Sequence, residues 1–200
     1  MTKTAKYCLT EPCILEILDM TNRIMKEKYP EKMNSILQAI YNRRSVRHFS
    51  DDPIDREVLR EIIRAGTWAP SGLNNQPWRF ALITDENIKK EFEGLTRYWK
   101  VIKGARALIG VFIDRDAMYH EVKDHQAMGA CIQNILLAAY SLGIGSVWLG
   151  EILKSSGEVR ELLGLSEQLE LMAVVAMGYP AHTEQTSSRI PVEKMIIFDQ

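Results

Sequence analysis

Apolar and polar residues recur along this chain with two periods, and the switches between them mark its elements. Downstream of Asp55, whose carboxylate can cap a helix start, Val58, Leu59, Ile62, Ile63 and Ala65 return at helical spacing as far as Gly66. Phe80 to Ile83 then reads as a short apolar strand, and Asp85 caps a helix carrying Ile88, Phe92 and Leu95. Ala107 to Ile113 is continuously apolar, as a strand covered on both faces in the middle of a sheet should be. The longest helical pattern runs from Asp124 to Leu142 and is apolar around nearly its whole circumference. A helix of that kind must be buried on every side, which predicts both a central core helix and an interface with a second copy. Gly143 ends it, and a short strand leads to Leu149 and Gly150. Ile152 to Leu163 is a further amphipathic helix stopped by Gly164, and Leu171 to Met177 a buried strand closed by Gly178-Tyr179-Pro180.

The two ends of the chain are read separately. Ile14, Leu15, Ile17, Leu18, Ile24 and Met25 recur at roughly helical spacing before Tyr29-Pro30, so residues 1–32 are expected to form a helical extension to a single domain spanning 33–200. Met33 to Tyr41 gives a short helix. At the other end, Val192, Met195, Ile196, Ile197 and Phe198 predict a strand that adds to a sheet, its own or a partner's. Strands separated by helices, with few hairpin signals, imply a layered arrangement of α and β elements.

Composition narrows the function. A net charge of −1 and an apolar share of 46% over 200 residues describe a globular chain with no overall electrostatic case for nucleic acid or membrane. No apolar run reaches the length of a membrane span and no signal-peptide layout is present, so a cytoplasmic location is expected. Cys8, Cys13 and Cys131 make no disulfide framework, and His48, His120, His125 and His182 lack ligand spacing, so neither a disulfide nor a metal site is expected. There is no G-x-G-x-x-G after a strand and no Ser-His-Asp or Cys-His order. No side chain is therefore assigned as a catalytic nucleophile or base.

What remains is the stretch Tyr41 to Phe49, Y-N-R-R-S-V-R-H-F, where a helical pattern gives way to an extended one. Arg43, Arg44 and Arg47 surround Ser45, and planar five-donor guanidinium groups converging there suit a phosphate or another dense anion. A second stretch, Ala69 to Phe80, reads A-P-S-G-L-N-N-Q-P-W-R-F, an ordered loop running into a strand. The ordered pair resembles the opening of the FMN-dependent nitroreductase family, and Gly143 to Gly150, G-I-G-S-V-W-L-G, resembles that family's third signature.

The resemblance covers about residues 34–198 and implies an α+β fold, a three-layer α/β/α sandwich with a mixed, mainly antiparallel central sheet. It also implies a homodimer whose chains exchange terminal extensions, with the flavin site at or near the subunit interface. By the same resemblance Arg43, Arg44, Ser45 and Arg189 belong at the phosphate and ribityl end of FMN, and Arg47 near the pyrimidine edge. The Pro70, Ser71, Asn74 and Gln76 loop borders the ring, Asn74 offering a donor and acceptors to its amide edge, and backbone amides near Leu149 and Gly150 face the nitrogen that receives hydride. Ser187 and Ser188 precede Arg189 where close relatives carry a second basic residue, which shifts the phosphate clamp toward the N-terminal arginines. The implied activity is ping-pong transfer of hydride from NADH or NADPH to a small nitroaromatic, quinone or similar acceptor. Two alternatives stay open: another flavin reaction on the same scaffold, such as reductive dehalogenation, flavin-dependent dehydrogenation or flavin fragmentation, and a non-catalytic nucleotide-binding module.

Overall fold

The structure, a computed structural model, describes residues 35–182 and 185–200. The chain divides into two compact units, residues 1–42 and 43–200. Helix α1, Ser35–Asn42, is the described part of the first and matches the short helix expected from Met33 to Tyr41. The helix expected before Tyr29-Pro30, together with Cys8 and Cys13, lies outside the described residues.

The second unit runs α2 (Arg56–Thr67), β1 (Trp78–Ile83), α3 (Glu86–Glu93), α4 (Trp99–Gly104), β2 (Ala107–Asp114), α5 (Glu121–Ser141), β3 (Gly145–Leu149), α6 (Ser156–Leu162) and β4 (Leu169–Gly178). Helix starts are fixed locally: the Asp55 carboxylate accepts from the Glu57 amide at 2.7 Å, and that of Asp85 from the amides of Asn87 and Ile88. Caps of this kind each stabilise by about 1 kcal/mol. Gly143, at φ 75, turns the chain out of α5.

The sheet has the order β1-β2-β4-β3 and every neighbouring pair is antiparallel. The mixed character expected from sequence reduces to one isolated parallel bridge, Ser45 to Ser146. The central strands β2 and β4 alternate their apolar side chains between two layers. Ile109, Val111, Ile113, Ala173, Val175 and Met177 pack with Leu59 and Ile62 of α2 and with Met128, Cys131, Ile132 and Ile135 of α5. Leu108, Phe112, Val174 and Ala176 face the other way, onto Phe92 of α3, Ile102 of α4 and Val159 of α6. A register shift between Val111 and Phe112 turns Leu171 into the second layer. Both faces are thus covered, which is why β2 reads as a continuous apolar run.

Three expectations are corrected. Helix α5 begins at Glu121, one turn before Asp124, because Asp124 reaches back to the amides of Tyr119 and His120. Its circumference is not wholly buried: Val122, Gln126, Gln133 and Tyr140 are exposed. The strand expected at Val192 to Phe198 is instead, within this chain, a 3-10 turn, Val192–Lys194, followed by irregular, exposed residues that pair with no strand among the described residues. Of the sheet's two edge strands, β1 pairs only with β2 among the described residues, and the start of β3 is taken by Ser45 and Val46.

Candidate functional site

The arginine stretch is an extended strap along the edge of the sheet. Ser45 bridges Ser146 of β3, the Val46 amide donates to the Ser146 carbonyl at 3.0 Å, and Phe49 bridges Pro180 just beyond β4. Val46 is buried, seated where a side chain at Gly145 would stand, since a Cβ there would lie 2.8 Å from Val46 Cγ1. Glycine is therefore required at position 145 by the strap rather than by a ligand.

With Val46 turned inward, the strap and the segment after residue 184 enclose a polar cavity of about 390 Å³. Arg43, Arg44, Ser45 and Arg47 line one side; Gln185, Thr186, Ser187 and Arg189 line the other. Arg189, remote in sequence, is thus brought to the N-terminal arginines. Its guanidinium donates to the Ser187 hydroxyl and to the Ser188 carbonyl at 2.7 Å, so the two serines orient the arginine they precede. Arg47 donates to the Ser45 carbonyl at 3.2 Å, and Arg44 to that of Arg43 at 3.0 Å. Burial lowers the Arg43 pKa from its ordinary 12.5, and the charges of Arg44 and Arg189 lower it further. Like charges crowded into a partly dry cavity cost free energy that a bound dense anion relieves. The donor set therefore fits a phosphate group.

The second stretch is held differently. After α2 the chain turns through a 3-10 turn, Gly72–Asn74, in which Leu73, Asn74 and nearby Gln76 take positive φ of 54, 55 and 48. The Gln76 amide donates to the Ser71 hydroxyl at 3.1 Å and the Asn74 amide to the Ser71 carbonyl at 3.1 Å. Asn74 and Gln76 are exposed. Pro70, Ser71 and Gly72 form one wall of a depression of about 250 Å³ whose other wall is Lys123, Gln126, Ala127 and Ala130 of α5.

The third stretch ends β3. Leu149 is buried in the second layer, Gly150 is exposed, and Trp148 is 41% exposed. Glu151, next in the chain, anchors this corner by accepting from the Thr96 hydroxyl at 2.6 Å and the Arg97 amide at 3.1 Å while pairing with Lys154.

Among the described residues the arginine cavity and the depression beside Ser71 are separate. Neither depression is lined by Asn74, Gln76, Leu149 or Gly150, and no residue lines both. Sheet order explains the separation: Ser45 sits on β3 at one edge, whereas residues 70–77 lead into β1 at the other. Three strand spacings put those edges about 14 Å apart, and the Ser146 and Trp78 levels differ by about 20 Å along the strands. Leu149, by contrast, is on the same strand as Ser146, about 10 Å along it. Asn75, Tyr119, Lys123 and Asp124 were missed as residues of the loop's surroundings. A signal existed for Asp124 alone, a carboxylate on the otherwise apolar side of α5.

Cys131 is buried among apolar side chains, and burial pushes its thiol up to about 12, which keeps it protonated and unreactive. Among the described residues no group of His, Cys, Asp and Glu is arranged to hold a metal ion, and no helix is long and apolar enough to cross a membrane.

Comparison with known proteins places the chain. The model of the nitroreductase family matches residues 40–107 and 95–179. A provisionally named NADH dehydrogenase/NAD(P)H nitroreductase of Archaeoglobus fulgidus is 39% identical over 154 residues, 74% of this chain and 87% of the relative. An NADPH-flavin oxidoreductase of Vibrio harveyi is 28% identical over 176 residues, 82% of this chain and 73% of the relative. A crystal structure from Desulfovibrio desulfuricans, provisionally named a nitroreductase and solved in complex with FMN, superposes with a TM-score of 0.81 at 45% identity, covering 84% of this chain and 99% of that one. With its three-layer fold and these matches, the chain belongs to the nitroreductase family.

Proposed function

We propose that the protein is an FMN-dependent oxidoreductase that takes hydride from NADH or NADPH and reduces a small nitroaromatic, quinone or similar acceptor, with Arg43, Arg44, Ser45, Arg47 and Arg189 holding the FMN phosphate end. The single observation that carries the reading is the convergence of four arginines, one of them remote in sequence, on one polar cavity at the start of β3. The FMN complex of the Desulfovibrio relative and the flavin named for the Vibrio relative support it. FMN, when bound, supplies the two-electron hydride chemistry. The chain's own work is to bind and orient: the arginines neutralise the phosphate, and the Ser45 hydroxyl and neighbouring amides add neutral donors. Leu149 and Gly150, about 10 Å along the same strand, are where the ring end of such a molecule would lie.

The remaining elements of the site come from a second copy. Pro70, Ser71, Asn74 and Gln76 stand at the far edge of the sheet from the arginines, so only another chain, related by a two-fold axis, brings such a loop against the arginine cavity. Exposed apolar side chains support a homodimer: Trp68 and Leu73 beside the loop are 82% and 86% exposed, and Ile197 and Phe198 of the tail 99% and 75%. The exposed tail suits a segment exchanged between chains. The reaction needs no nucleic acid or membrane, and we place the enzyme in the cytoplasm.

The test is flavin content. The purified protein is expected to be yellow, with about one FMN per chain. The double variant Arg43→Ala/Arg47→Ala removes two charge-assisted contacts, each contributing roughly 1.5–3 kcal/mol, and is expected to release FMN with far-UV circular dichroism unchanged. Stoichiometric flavin in that variant contradicts the assignment.

A further inference from the structure

The loop that carries Ser71 and Asn74 is strained, and its own bonds do not explain why it stays so. Three non-glycine residues with positive φ within four positions, Leu73, Asn74 and Gln76, persist only where surrounding structure over-determines them. The Ser71 hydroxyl and carbonyl tie the loop to itself. Two ties hold it to the body of the protein: the Gln76 carbonyl accepts from the Arg79 guanidinium of β1 at 3.2 Å, and Asn75, between the strained residues and itself in ordinary right-handed conformation, reaches toward α5. The Asn75 side-chain amide donates to the Ala117 carbonyl at 2.9 Å and to Asp124 Oδ1 at 2.8 Å.

Asp124 is fully buried in the first turn of α5, a position where an unbonded carboxylate would be costly. Its second oxygen accepts from the amides of Tyr119 and His120, at 2.9 and 2.8 Å. Burial pushes its pKa up, but the His120 amide, the Asn75 side chain and the Tyr119 amide together hold it below the usual value. The orientation of Asn75 is set by this carboxylate, since its own Oδ1 is buried and accepts no hydrogen bond from the described residues. Tyr119 completes the seat, its hydroxyl lying where a side chain at position 72 would have to stand, so Gly72 lets the ring lie against the loop. Neither Asn75 nor Asp124 lines the depression beside Ser71.

We propose that Asn75 and Asp124 are positioning residues for the flavin site: the Asp124 carboxylate fixes Asn75, and Asn75 sets the left-handed turn that presents Ser71 and Asn74 to FMN. The inference rests on the assignment of that loop to FMN made above.

A double-mutant cycle on apoprotein separates positioning from support, with FMN affinity read by quenching of flavin fluorescence. Asn74→Ala is expected to weaken FMN binding about tenfold, and Asn75→Ala by about the same factor, as loss of one directed hydrogen bond implies. Because Asn75 acts through Asn74, the double variant is expected to be no more than about twofold weaker than either single one. Amide hydrogen exchange should quicken over residues 71–77 in Asn75→Ala apoprotein, with β2 and β4 unchanged. Asp124→Asn, where it folds, should reproduce this pattern; where it does not, Asn75→Ala decides. Multiplicative effects of the two substitutions, or unchanged FMN affinity in Asn75→Ala while Asn74→Ala weakens it, overturn the positioning role alone. Unchanged affinity in Asn74→Ala overturns the assignment of the loop to FMN and the inference with it.

Discussion

Gly145 shows how a single residue can seat a whole segment. What approaches it is Val46, the buried member of the arginine strap. Gly145→Ala places a Cβ within 2.8 to 3.1 Å of three Val46 side-chain atoms and pushes the strap away from β3. Overpacking of this kind is expected to destabilise by about 1–3 kcal/mol. Urea unfolding and FMN titration of the variant should both register it, the second because Ser45 and Arg47 move with Val46. Neutrality in both measurements contradicts the strap's dependence on that contact. That Arg189 would come to lie with Arg43, Arg44 and Arg47 around one cavity was legible from its match to a basic position of the family. Asp124 was not, because its partner Asn75 is 49 residues away in sequence.

Elements were legible wherever local physics sets them. Asp55 and Asp85 cap the helices they were expected to cap, and β2 is apolar throughout because α2 and α5 cover one face while α3, α4 and α6 cover the other. Strand order was not legible, because which edge each strand occupies depends on long-range pairing that leaves no periodic trace. The tail illustrates the same gap: its apolar residues have strand character but pair with no strand among the described residues. At the corner after β3, Glu151 ties Gly150 to the segment before α4, and Lys154, then Thr96 and Arg97, bring its carboxyl from an ordinary 4.5 down to about 2. A carboxyl depressed on folding contributes stability that is present above its unfolded value and lost as pH falls through the folded one. The difference in thermal midpoint between the native protein and Glu151→Gln should therefore be constant above about pH 5 and shrink as pH is lowered from 4.5 toward 2. A difference that does not change over that window contradicts the tie.

At the scale of the whole molecule, the sheet order β1-β2-β4-β3 is the fact with the largest consequence. It holds the arginine cavity and the Ser71 to Gln76 loop at opposite edges, which is the ground for the proposal that one flavin is gripped by two chains. The most direct measurement is complementation between two defective proteins, Arg43→Ala/Arg47→Ala and Ser71→Ala/Asn74→Ala, unfolded together, refolded at equal amounts and titrated with FMN. If each site joins the arginines of one chain to the loop of the other, half of the dimers are mixed and each carries one intact site, so about a quarter of all sites should recover native affinity. If every site lies within a single chain, no native-affinity site appears in the mixture, and the two-chain account is contradicted.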